Sequence, residues 1–283
     1  MSHHGPPPPQ GPPPQLLPQV RNVIAVSSGK GGVGKSTVAV NVAVALARMG
    51  LKVGVLDADI YGPNVPIMFG IREQPVIADG KIQPHERYGV KLMSLGFLIQ
   101  QDEAVIWRGP MVMHALEQLM RDVNWGELDV LMVDMPPGTG DAQLTMVQKV
   151  PLAGAVLVST PQAVALGDTV KGLMMFRKTE TPILGLVENM SVFTCPHCGE
   201  GTELFKRGTV DEAATRYGVP FLGEIPFDVA CREGGDLGTP IVAGNPESEV
   251  AKAFTAVAEK VLAQIGPGSQ AGEARRVVQI TRR

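Results

Sequence analysis

Three cysteines in 283 residues are too few for a disulfide framework, and no charged-then-apolar stretch of the export-signal kind opens the chain. Long apolar runs are missing as well, so no segment reaches membrane-spanning length. Positive charge is not in excess. Lys and Arg number 25 against 28 Asp and Glu, a formal net charge of −3, which argues against a general nucleic-acid-binding surface. These absences exclude a disulfide-stapled secreted domain, a membrane-spanning chain and a basic nucleic-acid coat. They point to a reducing compartment, the cytoplasm, where a C-x-x-C pair reads as metal binding or redox chemistry. What is present is an apolar content of 44 %, enough in a chain of this length for one large α/β domain.

The chain is organised around VIAVSSGKGGVGKST, Val23 to Thr37. An apolar run ends in two serines, a glycine-rich turn follows, and Lys-Ser-Thr opens an alanine-rich helix. Gly29 to Ser36 fits the phosphate-binding pattern G-x-x-x-x-G-K-[ST]. Gly29, Gly31, Gly32 and Gly34 free the backbone around Val33 to adopt angles that side chains forbid and to approach phosphate oxygens closely. Successive N–H groups then face one concavity backed by the positive end of a helix dipole. In that pattern the stretch from Gly29 through Val33 to Thr37 holds ATP, Lys35 neutralises its β- and γ-phosphates, and the Ser36 hydroxyl binds Mg²⁺. A plain glycine turn is the weaker reading, because strand and helix flank the loop where the motif needs them. Lys30 is a second lysine, inside the loop.

Further along, apolar runs over 22–27, 52–56, 90–95, 128–133, 153–159, 183–187 and 219–225 read as strands. They alternate with helical patterns over 35–49, 111–121, 166–178, 209–217 and 246–265. That alternation predicts an α/β fold, a doubly wound and mostly parallel sheet flanked by helices. Residues 1–20 are rich in Pro, Gly and Gln and read as a disordered leader; 21–265 form the globular domain, and 266–283 a flexible basic tail. Carboxylates cluster where open α/β sheets place ligands: Asp57 and Asp59 after the second strand, and Asp134, before Pro-Pro-Gly, after the apolar strand 128–133. Asp134 fits the second Mg²⁺-holding element of a phosphate-loop ATPase, and the stiff Pro-Pro-Gly turn a switch that senses the γ-phosphate. The Asp57–Asp59 pair can instead cap the next turn. Arg108 reads equally as a phosphate or subunit contact and as a surface ion pair. Met174 and Met175 read as core filler, and Cys231 as a buried or incidental thiol. Cys195-Pro-His-Cys198-Gly is a tight turn able to aim two sulfurs at one metal. A redox pair and two inert thiols are the competing readings. A metal knuckle wants two such pairs, which a homodimer would supply on its symmetry axis.

GKGGVGKS resembles the deviant phosphate loop of the ParA/MinD/nitrogenase-iron-protein class of ATPases. Together with DADIYGPN, WRGPM, DMPPGTGD and CPHCG, in this order, the chain resembles the Mrp/ApbC family of iron–sulfur cluster carrier ATPases over about residues 22–265. The resemblance implies a nucleotide-sandwich homodimer in which Lys30 reaches the partner's nucleotide, Asp59 is the catalytic carboxylate and Asn189 contacts adenine. It also implies that Cys195 and Cys198 of each protomer hold an iron–sulfur cluster, [4Fe–4S] by expectation, destined for apo iron–sulfur proteins and cluster scaffolds. A ParA/MinD-type positioning ATPase without metal and a zinc-stapled nucleotide switch are the alternatives. No nucleic-acid partner and no stable membrane association are expected.

Overall fold

The computed structural model describes residues 16–98, 109–195 and 198–266, without the Asp141 side chain. Strand β1 (Val20–Ser27), the loop and helix α1 (Lys35–Arg48) are followed by β2 (Val53–Asp57) and the short α2 (Val65–Met68). A small hairpin of β3 (Ile77–Ala78) and β4 (Lys81–Ile82) precedes β5 (His85–Arg87) and β6 (Val90–Ser94). Then come α3 (Gly109–Asp122), β7 (Leu128–Asp134), α4 (Asp141–Lys149), β8 (Gly154–Ser159) and α5 (Ala163–Lys178). The last third holds β9 (Ile183–Thr194), β10 (Gly201–Thr202), α6 (Thr209–Tyr217), β11 (Phe221–Phe227), α7 (Val229–Leu237), α8 (Ile241–Gly244) and α9 (Glu249–Ile265). The strands form a nine-stranded sheet in the order β10-β9-β8-β1-β7-β2-β6-β5, with β11 also on β9. All pairings are parallel except β5 on β6 and β10 on β9.

Every residue of β2 and β8 is buried, as expected of parallel strands covered on both faces. Alternation along β1 assigns the faces. Ile24 and Val26 pack with α1, α8 and α9; Val23 and Ala25 pack with α3, α4, α5 and α6. The predicted doubly wound sheet is the one observed.

Some boundaries differ for physical reasons. Strand β1 starts at Val20, and Leu17 is buried in the core, so chain next to the Pro-rich stretch is packed rather than loose. Helix α9 starts three residues later than its pattern suggests, where the Ser248 hydroxyl accepts the Ala251 N–H (3.2 Å) as an N-cap. Met174 is 43 % exposed and not core filler, whereas Met175 packs on the core. The largest difference is β9. It does not stop at Val187 but runs on to Thr194, 12 residues in all. Past Val187 the apolar run is interrupted by Glu188 and Asn189, yet β11 pairs along it as far as Phe193 opposite Phe227, whose rings meet edge-on at 6.0 Å. Met190, at φ 59°, marks a left-handed kink in the strand. Arg108, most of the leader and all but the first residue of the tail lie outside the described residues.

Candidate nucleotide site and cysteine turn

The carboxyl ends of β1, β2, β7, β8 and β9 lie along one edge of the sheet, and the predicted site residues gather there. Gly34 caps α1 in the left-handed region (φ 81°), with no side-chain cap and no acidic residue in the first turn. The first N–H groups of α1 are therefore not competed for by a carboxylate of the helix itself. Gly29 is glycine for want of space: a Cβ would fall 2.1 Å from the Asp168 carbonyl carbon and 2.3 Å from the Thr169 nitrogen of α5. A Cβ on Gly34 would fall 2.2 Å from Asn189 Nδ2. That amide donates to the Val33 carbonyl (2.8 Å), so Asn189 braces the loop from β9. Gly31 and Gly32 lie on the exposed crest, whereas Val33 is buried beneath it.

Beneath the loop, Lys35 Nζ lies 2.6 Å from Asp134 Oδ1, and the Ser36 hydroxyl donates to Asp134 Oδ2 at 2.6 Å. The Lys35 side chain is 6 % exposed and that of Asp134 is fully buried. Asp57 stands opposite Asp134 in the β2–β7 register. Burial pushes its carboxyl up to about 8, and the neighbouring Asp134 charge adds to this. Asp57 accepts from the Ser94 hydroxyl (3.0 Å), the Asp59 N–H (3.2 Å) and the Val65 N–H (3.3 Å). It shapes the 57–65 turn. Asp59 is buried too, and burial raises its carboxyl while Lys35 opposes the shift. Lys35, Ser36, Asp59 and Asp134 are thus brought together as the motifs required.

The turn after Asp134 is tied to the loop. Gly138 N–H donates to the Ser28 carbonyl (3.0 Å), and Gln143 donates to the Ser27 hydroxyl (2.6 Å). Gly138 has φ 100°, which only glycine adopts without strain. Lys30 reaches back within its own chain to Gln162 Oε1, 3.3 Å away.

The cysteine turn closes the β9–β10 hairpin. Cys195 N–H donates to the Glu200 carbonyl and Gly199 N–H to the Cys195 carbonyl, both at 2.9 Å, with Gly199 at φ 72°. Cys195 is half-buried and Cys198 exposed. Among the described residues no three His, Cys, Asp or Glu side chains are grouped to hold a metal ion. Pro196 and His197 lie outside them. Cys231 is in α7, buried, with its thiol pushed up to about 12 by burial and then by Asp228. Of the two readings, buried or incidental, the fold gives the buried one.

Three residues escaped sequence reasoning. Glu188, fully buried, accepts the Gly208 and Val210 N–H groups (3.0 Å each) and so anchors the start of α6 to β9. Gln143 and Gln162 carried no motif; only their places just after a switch turn and a strand end could have marked them. No helix of the described residues is long and apolar enough to cross a membrane.

Fold and site together define a phosphate-loop nucleotide-binding protein. Residues 19–262 match the ParA family described as NUBPL iron-transfer P-loop NTPase, and the chain belongs to that family. It is 54 % identical, over 86 % of its length and 78 % of the relative's, to an Arabidopsis thaliana iron-sulfur protein required for NADH dehydrogenase, mitochondrial. It is 52 % identical to an iron-sulfur cluster carrier protein of Aquifex aeolicus, over 88 % and 69 % of the two chains. A nucleotide-binding protein of Archaeoglobus fulgidus, solved in complex with ADP, superposes with a TM-score of 0.73 at 41 % identity, covering 84 % of this chain and 94 % of that one.

Proposed function

We propose that this protein is an ATP-binding, slowly ATP-hydrolysing homodimer that carries an iron–sulfur cluster between its subunits and delivers it to apo-proteins. The observation that carries the reading is the position of the cysteine turn. Two sulfurs per chain, at the tip of the strand that braces the phosphate loop, are too few to satisfy a metal alone and suffice when doubled by a second copy. The relatives' names, carrier and NADH-dehydrogenase iron–sulfur protein, support the same cargo. We assign Cys195 and Cys198 of both protomers as ligands and [4Fe–4S] as the cluster, with apo iron–sulfur proteins and cluster scaffolds as partners.

At the nucleotide end, Lys35 exchanges Asp134 for the β- and γ-phosphates. The oxygen set of Ser36 and Asp134 suits Mg²⁺, which would neutralise phosphate charge there. Asp59 positions the attacking water, and Lys30 leaves Gln162 for the partner's nucleotide. Asn189 Nδ2 is engaged by the loop, so an adenine would meet its Oδ1. Nucleotide state, acting through the turn after Asp134, alters cluster affinity. The exposed thiol of Cys198 suits a reducing compartment, and we place the protein in the cytoplasm.

The test is anaerobic reconstitution of wild type and Cys195→Ala, read by visible absorbance, iron content and dimer mass, followed by single-turnover transfer to an apo-protein with and without ATP. A brown dimer, its loss in the variant and ATP-dependent transfer are expected. A colourless protein or bound zinc would overturn the cluster reading, and equal transfer rates would overturn the coupling.

A further inference from the structure

The turn between β8 and α5, Thr160-Pro161-Gln162, touches both ends of the machine. On one side Gln162 accepts from Lys30 of the phosphate loop (3.3 Å), and α5 behind it lies against Gly29 too closely to admit a Cβ. On the other side the Pro161 carbonyl accepts from the Thr209 hydroxyl at the start of α6 (3.1 Å). Residues 203–208, which lead into α6, are the return leg of the cysteine hairpin. They are pinned by Glu188 at Gly208 and by the forked Arg207–Glu224 ion pair. Thr209 thus joins the Thr160–Gln162 turn to the end of the leg that carries β10 and the cysteine turn. Thr160 supplies an independent observation. Thr160 is 4 % exposed, and its buried hydroxyl has no hydrogen-bond partner among the described residues. A buried hydroxyl without a partner is unfavourable, so this turn has a bond to gain in a second arrangement.

We propose that this turn works with the turn after Asp134 to couple nucleotide and cysteine turn: it holds Lys30 in the single chain, and when Lys30 leaves, it shifts and passes the change through Thr209 to the cysteine hairpin. The proposal rests on the nucleotide-coupled reading above. Gln162 and Thr209 are positioning residues, neither touching nucleotide nor cluster.

The experiment measures maleimide labelling rates of Cys195 and Cys198 in the reduced, cluster-free full chain, with Mg-ADP and with a non-hydrolysable Mg-ATP analogue. Cys231 is buried and its thiol resists ionisation, so it labels slowly and does not obscure the readout. In wild type the two nucleotides should give rates differing about fivefold or more, the lower range of ordinary site-to-site coupling. Thr209→Val should bring the two rates together with nucleotide affinity unchanged, and Thr209→Ser, which keeps the hydroxyl, should restore the difference. Gln162→Ala should move the ADP rate toward the ATP rate, and it decides the matter if Thr209→Val does not fold. Wild-type behaviour in Thr209→Val, or an unmoved ADP rate in Gln162→Ala, would overturn the coupler alone. Equal rates in wild type would overturn the coupled reading itself, and the coupler with it.

Discussion

The phosphate loop and the cysteine turn occupy the same edge of one sheet but are held by opposite means. The loop is fixed from below by a buried ion pair, from the side by α5 against Gly29, and from β9 by Asn189. Among its described residues the cysteine turn shows two backbone hydrogen bonds, with a two-residue strand beside it and an exposed thiol. A nucleotide pocket that reads phosphate geometry gains from being built before the ligand arrives. A site that must take up and surrender cargo, and that a second copy completes, gains from being lightly held. The contrast predicts that damage at the loop costs stability as well as binding, whereas damage at the turn costs binding alone.

The sharpest separation is expected from Cys198→Ala. It should remove all reconstituted iron while leaving unfolding within about 0.5 kcal/mol of wild type, because the side chain is exposed; a large loss of stability would erase the distinction. Lys35→Ala should do the reverse. It leaves the buried Asp134 without its cation, at a cost of about 3–5 kcal/mol in denaturant unfolding. ATP binding should weaken about 10- to 100-fold as charged phosphate contacts are lost. Lys30→Ala, which removes a side-chain hydrogen bond to Gln162, should stay within about 0.5 kcal/mol of wild type in the same assay. Next comes Gly29→Ala, where the new methyl meets helix backbone that cannot turn aside, at a cost of about 1–3 kcal/mol.

Acidity gives a finer test. The folded-state value of Asp57, about 8, lies above its ordinary 3.8. Between those values the folded chain holds a proton that the unfolded chain has lost. The stabilisation is complete below pH ~4 and is lost as pH rises toward ~8, by up to about 1.4 kcal/mol per pH unit. Asp57→Asn should flatten that slope in unfolding curves taken across the window; an unchanged slope would place the proton elsewhere. Arg207→Ala should likewise cost little, under about 1 kcal/mol, since its ion pair with Glu224 is part-exposed to solvent.

Much of this was legible in the residues alone. Apolar runs buried on both faces, glycines where a phosphate must be approached, and carboxylates at strand ends are local signals, each with its own physical cause. They marked Lys35, Ser36, Asp59 and Asp134, which the fold brings to one edge of the sheet. The second half of β9 was not legible, because Glu188 and Asn189 look like loop residues until their partners, the α6 backbone and the Val33 carbonyl, are known. Asp57 read as half of a strand-end acidic pair that binds ligand or caps the next turn, and in the fold it is a fully buried anchor of that turn.

Composition and local pattern thus settled that this chain folds as a doubly wound sheet with a phosphate loop on its first strand, because glycine, period and strand-end charge act over a few residues. Folding in three dimensions settled which groups meet. Gln162 finds Lys30 across 132 positions and Asn189 finds Val33 across 156, and no short-range rule can pair residues that only the closed sheet makes neighbours.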